Sequence, residues 1–105
     1  MTQFAVDIPP VDSTSPWVVI EIFDNKKEAL NFAQTIFGCD DNGFLCLISF
    51  DGEYHCVDVP NPHYQSRNNQ FLDVEGFRHL EDAVDFAIAN YHADSQGRVC
   101  LISKI

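Results

Sequence analysis

The residues best suited to metal ligation or thiol chemistry are Cys39, Cys46, Cys56 and Cys100, with His55, His63, His79 and His92. A zinc knuckle or a thioredoxin-type dithiol needs cysteines two residues apart, so that both sulfurs reach one metal or each other. The separations here are 7, 10 and 44 residues. The four cysteines therefore read as free thiols, and neither metal nor cofactor is expected. Cys46 and Cys100 lie in apolar runs, where a cysteine acts as a small buried hydrophobe more readily than as a nucleophile. Asp40-Asp41-Asn42-Gly43 has the look of a calcium loop. It lacks oxygens at alternate positions and a distal bidentate glutamate, so a turn is expected. Glu21 and Glu75 could form a carboxylate pair acting as acid and base, although solvated strand positions explain them as well. His55, His63 and Tyr64 fit ordinary loop composition. Arg67, Arg78 and Arg98 are scattered and define no anion site. No GxSxG, HExxH, GxGxxG or P-loop pattern occurs. The chain is expected not to be an enzyme.

The elements that position these residues must come from 105 residues, 46% of them hydrophobic and 12% aromatic. That is enough apolar material for one domain over 1–105. Sixteen Asp and Glu against six Lys and Arg give a formal charge of −10, which repels polyanions and argues against nucleic-acid binding. No apolar run reaches the roughly 20 residues that span a bilayer, and the start lacks the pattern of a signal peptide. A cytoplasmic location, with no membrane partner, is expected.

Sliding the sequence by 54 places residues 22–49 over 76–103 with ten identities: Phe23/Phe77, Ala29/Ala83, Phe32/Phe86, Ala33/Ala87, Asp40/Asp94, Gly43/Gly97, Cys46/Cys100, Leu47/Leu101, Ile48/Ile102 and Ser49/Ser103. Average amino-acid usage would give roughly two. At a shift of 51, Val6-Asp7-Ile8-Pro9 matches Val57-Asp58-Val59-Pro60. Two repeats follow, about 3–50 and 54–104. At roughly 50 residues each they are too small to fold alone, and are expected to share one core with a pseudo-twofold relation.

Within each repeat, short β-prone runs at 4–8 and 54–59 end in proline, and second strands follow at 17–23 and 71–77. Apolar residues from Asn25 to about Gly38 recur at helical spacing, with Asp24 or Asn25 as cap, and the pattern returns at Leu80, Ala83, Val84, Ala87 and Tyr91. Asp40–Gly43 and Asp94–Gly97 make tight turns, and 44–50 and 99–105 are closing strands. The expected fold is α+β, a tandem pseudo-twofold ββαβ-ββαβ repeat forming one antiparallel or mixed sheet with two helices packed on one face. Asp51-Gly52 predicts a two-residue hairpin pairing 44–50 with 53–59. That register puts Phe44, Cys46, Ile48, Val57 and Val59 on one face, and Leu45, Leu47, Ser49, Tyr54, Cys56 and Asp58 on the other.

With helices over Val18, Ile20, Ile22, Cys46 and Ile48, the opposite side presents Trp17, Val19, Phe71, Leu45, Leu47, Tyr54, Val99 and Leu101. Its rim holds Asp7, Glu21, Asp58, Asp73 and Glu75. An exposed apolar face of that extent reads as an interface. The expected function is a small acidic interaction or regulatory protein, an inhibitor or adaptor. Its binding residues are Trp17, Glu21, Leu47, Tyr54, Phe71, Glu75 and Leu101, and its partner is another protein or a second copy in a homodimer. The alternative is a metabolite-sensing module with pockets at the repeat junction. Trp17–Phe23 followed by Lys26-Lys27-Glu28-Ala29 resembles the start of SPOR peptidoglycan-binding repeats, which also pair two strand-helix-strand units. The longer period and the extra opening strand depart from that family, so no membership is assigned.

Overall fold

The computed structural model describes residues 2–62 and 71–105, and the expectations placed on His63, Tyr64 and Arg67 lie outside the described residues. Along the chain run β1 (Phe4–Ile8), β2 (Val18–Phe23), α1 (Lys26–Phe37), β3 (Phe44–Cys46), β4 (Ile48–Phe50), β5 (His55–Pro60), β6 (Phe71–Phe77), α2 (Leu80–Tyr91), β7 (Arg98–Cys100) and β8 (Ile102–Lys104). The class is α+β. The strands form three antiparallel sheets, ordered β2-β1-β8, β3-β7 and β4-β5-β6, where a single sheet was expected.

The sheet divides because both closing strands break, at Leu47 and at Leu101. Leu47 donates its N–H to the Gly97 carbonyl (2.9 Å), while its own carbonyl accepts from the Asp58 N–H (2.8 Å). In a regular strand the N–H and C=O of one residue face the same neighbour. Here they face different strands, so the chain changes sheets at that residue. Leu101 behaves alike, donating to Gly43 (2.8 Å) and accepting from Asp7 (2.8 Å). After each break the chain joins the sheet opened by the other half: β4 pairs with β5, and β8 pairs with β1.

Both helices end where the sequence predicts. The Asn25 side chain accepts from the Glu28 N–H (2.8 Å) and starts α1, while Gly38, at φ 76°, closes it with its N–H on the Gln34 carbonyl. α2 starts at His79 without a side-chain cap, with Glu81 and Asp82 in its first turn, and closes at His92, at φ 57°. Each helix buries a stripe with small residues: Ala29, Ala33 and Phe37 in α1, Ala83, Ala87 and Tyr91 in α2. Alanine at these positions lets the helix approach its sheet closely. α1 packs on β1, β2 and β8, and α2 on β5 and β6, so each helix covers its own sheet rather than sharing one face. The core joins these stripes to Val6, Ile8, Leu45, Leu47, Val57, Val59, Val99 and Leu101. Phe23–Phe32 and Phe77–Phe86 pack at the same ring separation, 5.4 Å.

The β4–β5 connection is longer than the expected two-residue hairpin. Phe50 pairs with His55, leaving Asp51 to Tyr54 as the loop. The Asp51 carboxylate accepts from the Glu53 (2.9 Å) and Tyr54 (2.7 Å) N–H groups and holds the four residues together.

Candidate functional site

The residues expected to share one open face do not. Leu47 and Leu101 are 1% and 0% exposed, and Leu45 and Val99 are buried beside them. The sheet switch turns these four inward and turns Cys46, between Leu45 and Leu47, out to solvent. Cys46 is therefore not the buried small hydrophobe expected. Trp17 is half-buried against the core. Tyr54 is half-buried under the Arg78 guanidinium, which lies 5.1 Å from its ring centre and donates to its hydroxyl (3.2 Å). Glu21 and Glu75 lie on the outermost strands of two different sheets, β2 and β6, and each accepts from the next residue's N–H (3.3 Å). Phe71 is exposed at the start of β6.

The expected face is thus split into two small outer faces. On β4-β5-β6, Asp58 stands opposite Asp73 in the ladder, and the Ser49 hydroxyl donates to Asp58 (2.7 Å). Burial pushes the Asp58 carboxyl up from its ordinary value; the Ser49 hydrogen bond opposes this, and the negative charge of Asp73 and a hydrogen bond shared with it add to the rise. On β2-β1-β8, Ser103 donates to Asp7 in the same way, but Val19 stands opposite Asp7. Among the described residues the other oxygen of Asp7, Oδ1, is buried without a hydrogen-bond partner.

The turn carboxylates are occupied by their own backbone. Asp40 accepts from the Asn42 and Phe44 N–H groups (2.8 and 2.9 Å), and Asp94 from Gln96 and Arg98 (both 2.9 Å). Both are lowered, chiefly by the amide of Phe44 or Arg98. The calcium-loop look of Asp40–Gly43 is accounted for by this capping. Among the described residues no three His, Cys, Asp or Glu converge on a metal position. The four cysteines are free. The Cys56 thiol is held above its ordinary value by burial and then by Asp73, Asp51 and Asp58, which makes it a poor nucleophile at neutral pH.

A cavity of about 190 Å³ opens beside α1, lined by Phe4, Lys26, Asn42, Cys100, Ile102 and Lys104. It draws on both halves of the chain. The Cys100 thiol donates toward the Ile102 (3.4 Å) and Asn42 (3.9 Å) carbonyls. The 54-residue shift maps Lys26, Asn42, Cys100, Ile102 and Lys104 onto Leu80, Gln96, Cys46, Ile48 and Phe50. Cys46 likewise donates toward Ile48 (3.5 Å) and Gln96 (3.9 Å).

No protein family, curated protein or solved structure matches this chain. The partial resemblance of residues 17–29 to SPOR repeats therefore carries no family assignment. Sequence reasoning missed the pairing of Lys26 with Lys104. The signal lay in the 54-residue alignment, where Lys26 falls on Leu80 and Lys104 on Phe50.

Proposed function

We propose that this chain is a non-enzymatic acidic interaction protein that binds a partner with a basic surface through the outer face of β4-β5-β6. The observation that carries this reading is the Asp58–Asp73 pair. Two carboxylates directly opposite each other on a sheet oppose folding, and neither forms an ion pair with Lys or Arg among the described residues. An arginine or lysine from a partner would relieve that repulsion. Glu75, on the same strand, extends the negative field, and exposed Phe71 supplies an apolar contact at its end. A charge of −10 makes a basic protein a better partner than a second copy, because two copies repel at low salt.

The finer architecture belongs to the same reading. We infer that the halves are copies of one unit related by a pseudo-twofold axis through the β3–β7 ladder. The matched bonds of Leu47 and Leu101, of Ser49 and Ser103, and of Asp40 and Asp94 support it. No helix among the described residues is long and apolar enough to cross a membrane, and we place the protein in the cytoplasm, where its thiols would stay reduced.

The test compares capture by the native chain and by an Asp58→Asn/Asp73→Asn variant, followed by titration with the purified captured protein over a salt series. Support requires a basic partner whose binding weakens with salt and is largely lost in the variant. Capture that is unchanged in the variant, or self-association that tightens with salt, overturns the assignment.

A further inference from the structure

We propose that the cavity beside α1 is a binding site for a small carboxylate with an apolar body, of the size of a single-ring aromatic acid. The chain has three lysines, Lys26, Lys27 and Lys104, in a background of net charge −10. Two of the three, Lys26 and Lys104, line this one cavity. Among the described residues neither side chain makes a hydrogen bond or an ion pair; the ion pairs there are Arg78–Glu53 and Arg98–Asp94. No carboxylate lines the cavity either. It is a cationic spot on an acidic surface, and the surrounding field directs an anion there by excluding it elsewhere.

Apolar Phe4 and Ile102, with Cys100, line the same cavity. Such a lining takes a hydrocarbon body while the polar groups fix its orientation. A cavity of roughly 150 Å³ accepts benzene, so about 190 Å³ suits one ring with its carboxylate and is too small for a nucleotide. Lysine ammonium groups act as mobile point charges and need no bidentate geometry, which fits a carboxylate held between two of them. The 54-residue shift maps this cavity onto a second place, where Leu80 and Phe50, 52% and 60% exposed, stand for Lys26 and Lys104. The proposal therefore assigns an anion site to one of two aligned places, each drawing on both halves of the chain, and the other place serves as an internal control. It does not depend on the partner-binding reading.

Benzoate and its neutral isostere benzamide are the probes, titrated into the full chain and followed by amide NMR shifts. Benzoate should shift the amides of Asn42, Cys100 and Lys104, and benzamide should bind about tenfold more weakly. Lys26→Leu and Lys104→Phe, which install the residues of the other place, should each weaken benzoate about fivefold, the upper range of a solvent-exposed charge pair. Alkylation by iodoacetamide gives a readout free of any substitution: benzoate should slow labelling of Cys100 and leave Cys46 unchanged. Equal binding of benzoate and benzamide, equal protection of both cysteines, or no response up to the solubility limit of benzoate overturns the site.

Discussion

The two halves of this chain differ where they face solvent and agree where the fold turns. Leu47 and Leu101 sit at the same sheet switch, Gly43 and Gly97 at the same tight turn, and the alanine stripes of α1 and α2 at the same depth. Around this shared frame Lys26 is exchanged for Leu80, Lys104 for Phe50 and Val19 for Asp73. The frame positions are fixed by hydrogen-bond direction and close packing, which few side chains satisfy. The surface positions carry no such demand, so the frame holds a cavity lined by two lysines beside α1 and an acid pair, Asp58 and Asp73, on β4-β5-β6.

Breaking the frame should affect both halves equally. Leu47→Ala and Leu101→Ala should each destabilise by about 2–5 kcal/mol, as for buried leucines generally, with the two values close together in urea denaturation. Gly43→Ala and Gly97→Ala come next. An added Cβ would lie 2.7 Å from Ile102 Cγ1 or 2.5 Å from Ile48 Cγ1, at φ 86° and 78°. Strain and crowding together should cost about 2–4 kcal/mol, read as a lowered Tm for each variant.

The helix ends sharpen the comparison, because here α2 is the more weakly capped helix. α1 has a bonded asparagine cap and a glycine in the left-handed position, whereas α2 has an unbonded His79 and a left-handed His92. His79→Asn should stabilise by about 1 kcal/mol, and His92→Gly by about 0.5–1 kcal/mol. Glycine is already present at 38, so the first half has no equivalent gain. Thermal melts of the two single variants check this.

The smallest effect concerns pH. The Asp58 carboxyl is raised, so it holds its proton more tightly folded than unfolded. It therefore opposes stability above its folded value, and the opposition fades as pH falls toward the unfolded value. Asp40, Asp51 and Asp94 are lowered by backbone amides and run the other way. Their contribution is present above the unfolded value and lost as pH falls through the folded one. Asp58→Asn should raise stability at neutral pH by about 0.2–1 kcal/mol and leave a curve that falls monotonically into acid. Melting temperatures of native and variant chains between neutral and mildly acidic pH read the difference directly.

Much of the local structure was legible in the sequence. Helical spacing from Asn25 to about Gly38 matches α1, with Asn25 of the two candidate caps starting it, and the Asp-x-x-Gly turns form where expected. The outward positions of Ser49 and Asp58 also agree. What could not be read is non-local. Phe44-Leu45-Cys46-Leu47-Ile48 is apolar at every position, so alternation cannot say which side is buried. The switch at Leu47 depends on where Gly97 and Asp58 lie, and hence on the whole topology. The candidate cavity needs Lys26 and Lys104 brought together, which happens only because β8 crosses to pair with β1.

That crossing also sets the order in which the protein can be finished during synthesis. Phe4 pairs with Lys104, and Gln3 accepts from the Ile105 N–H (2.9 Å). β1 therefore has only β2 as a neighbour until β8 has emerged. Sheet β4-β5-β6, whose strands are all made before α2, can assemble earlier, so the half translated first is the half completed last. Its β1–β2 hairpin spends translation without its third strand, the interval in which a nascent chain has the greatest need of a chaperone.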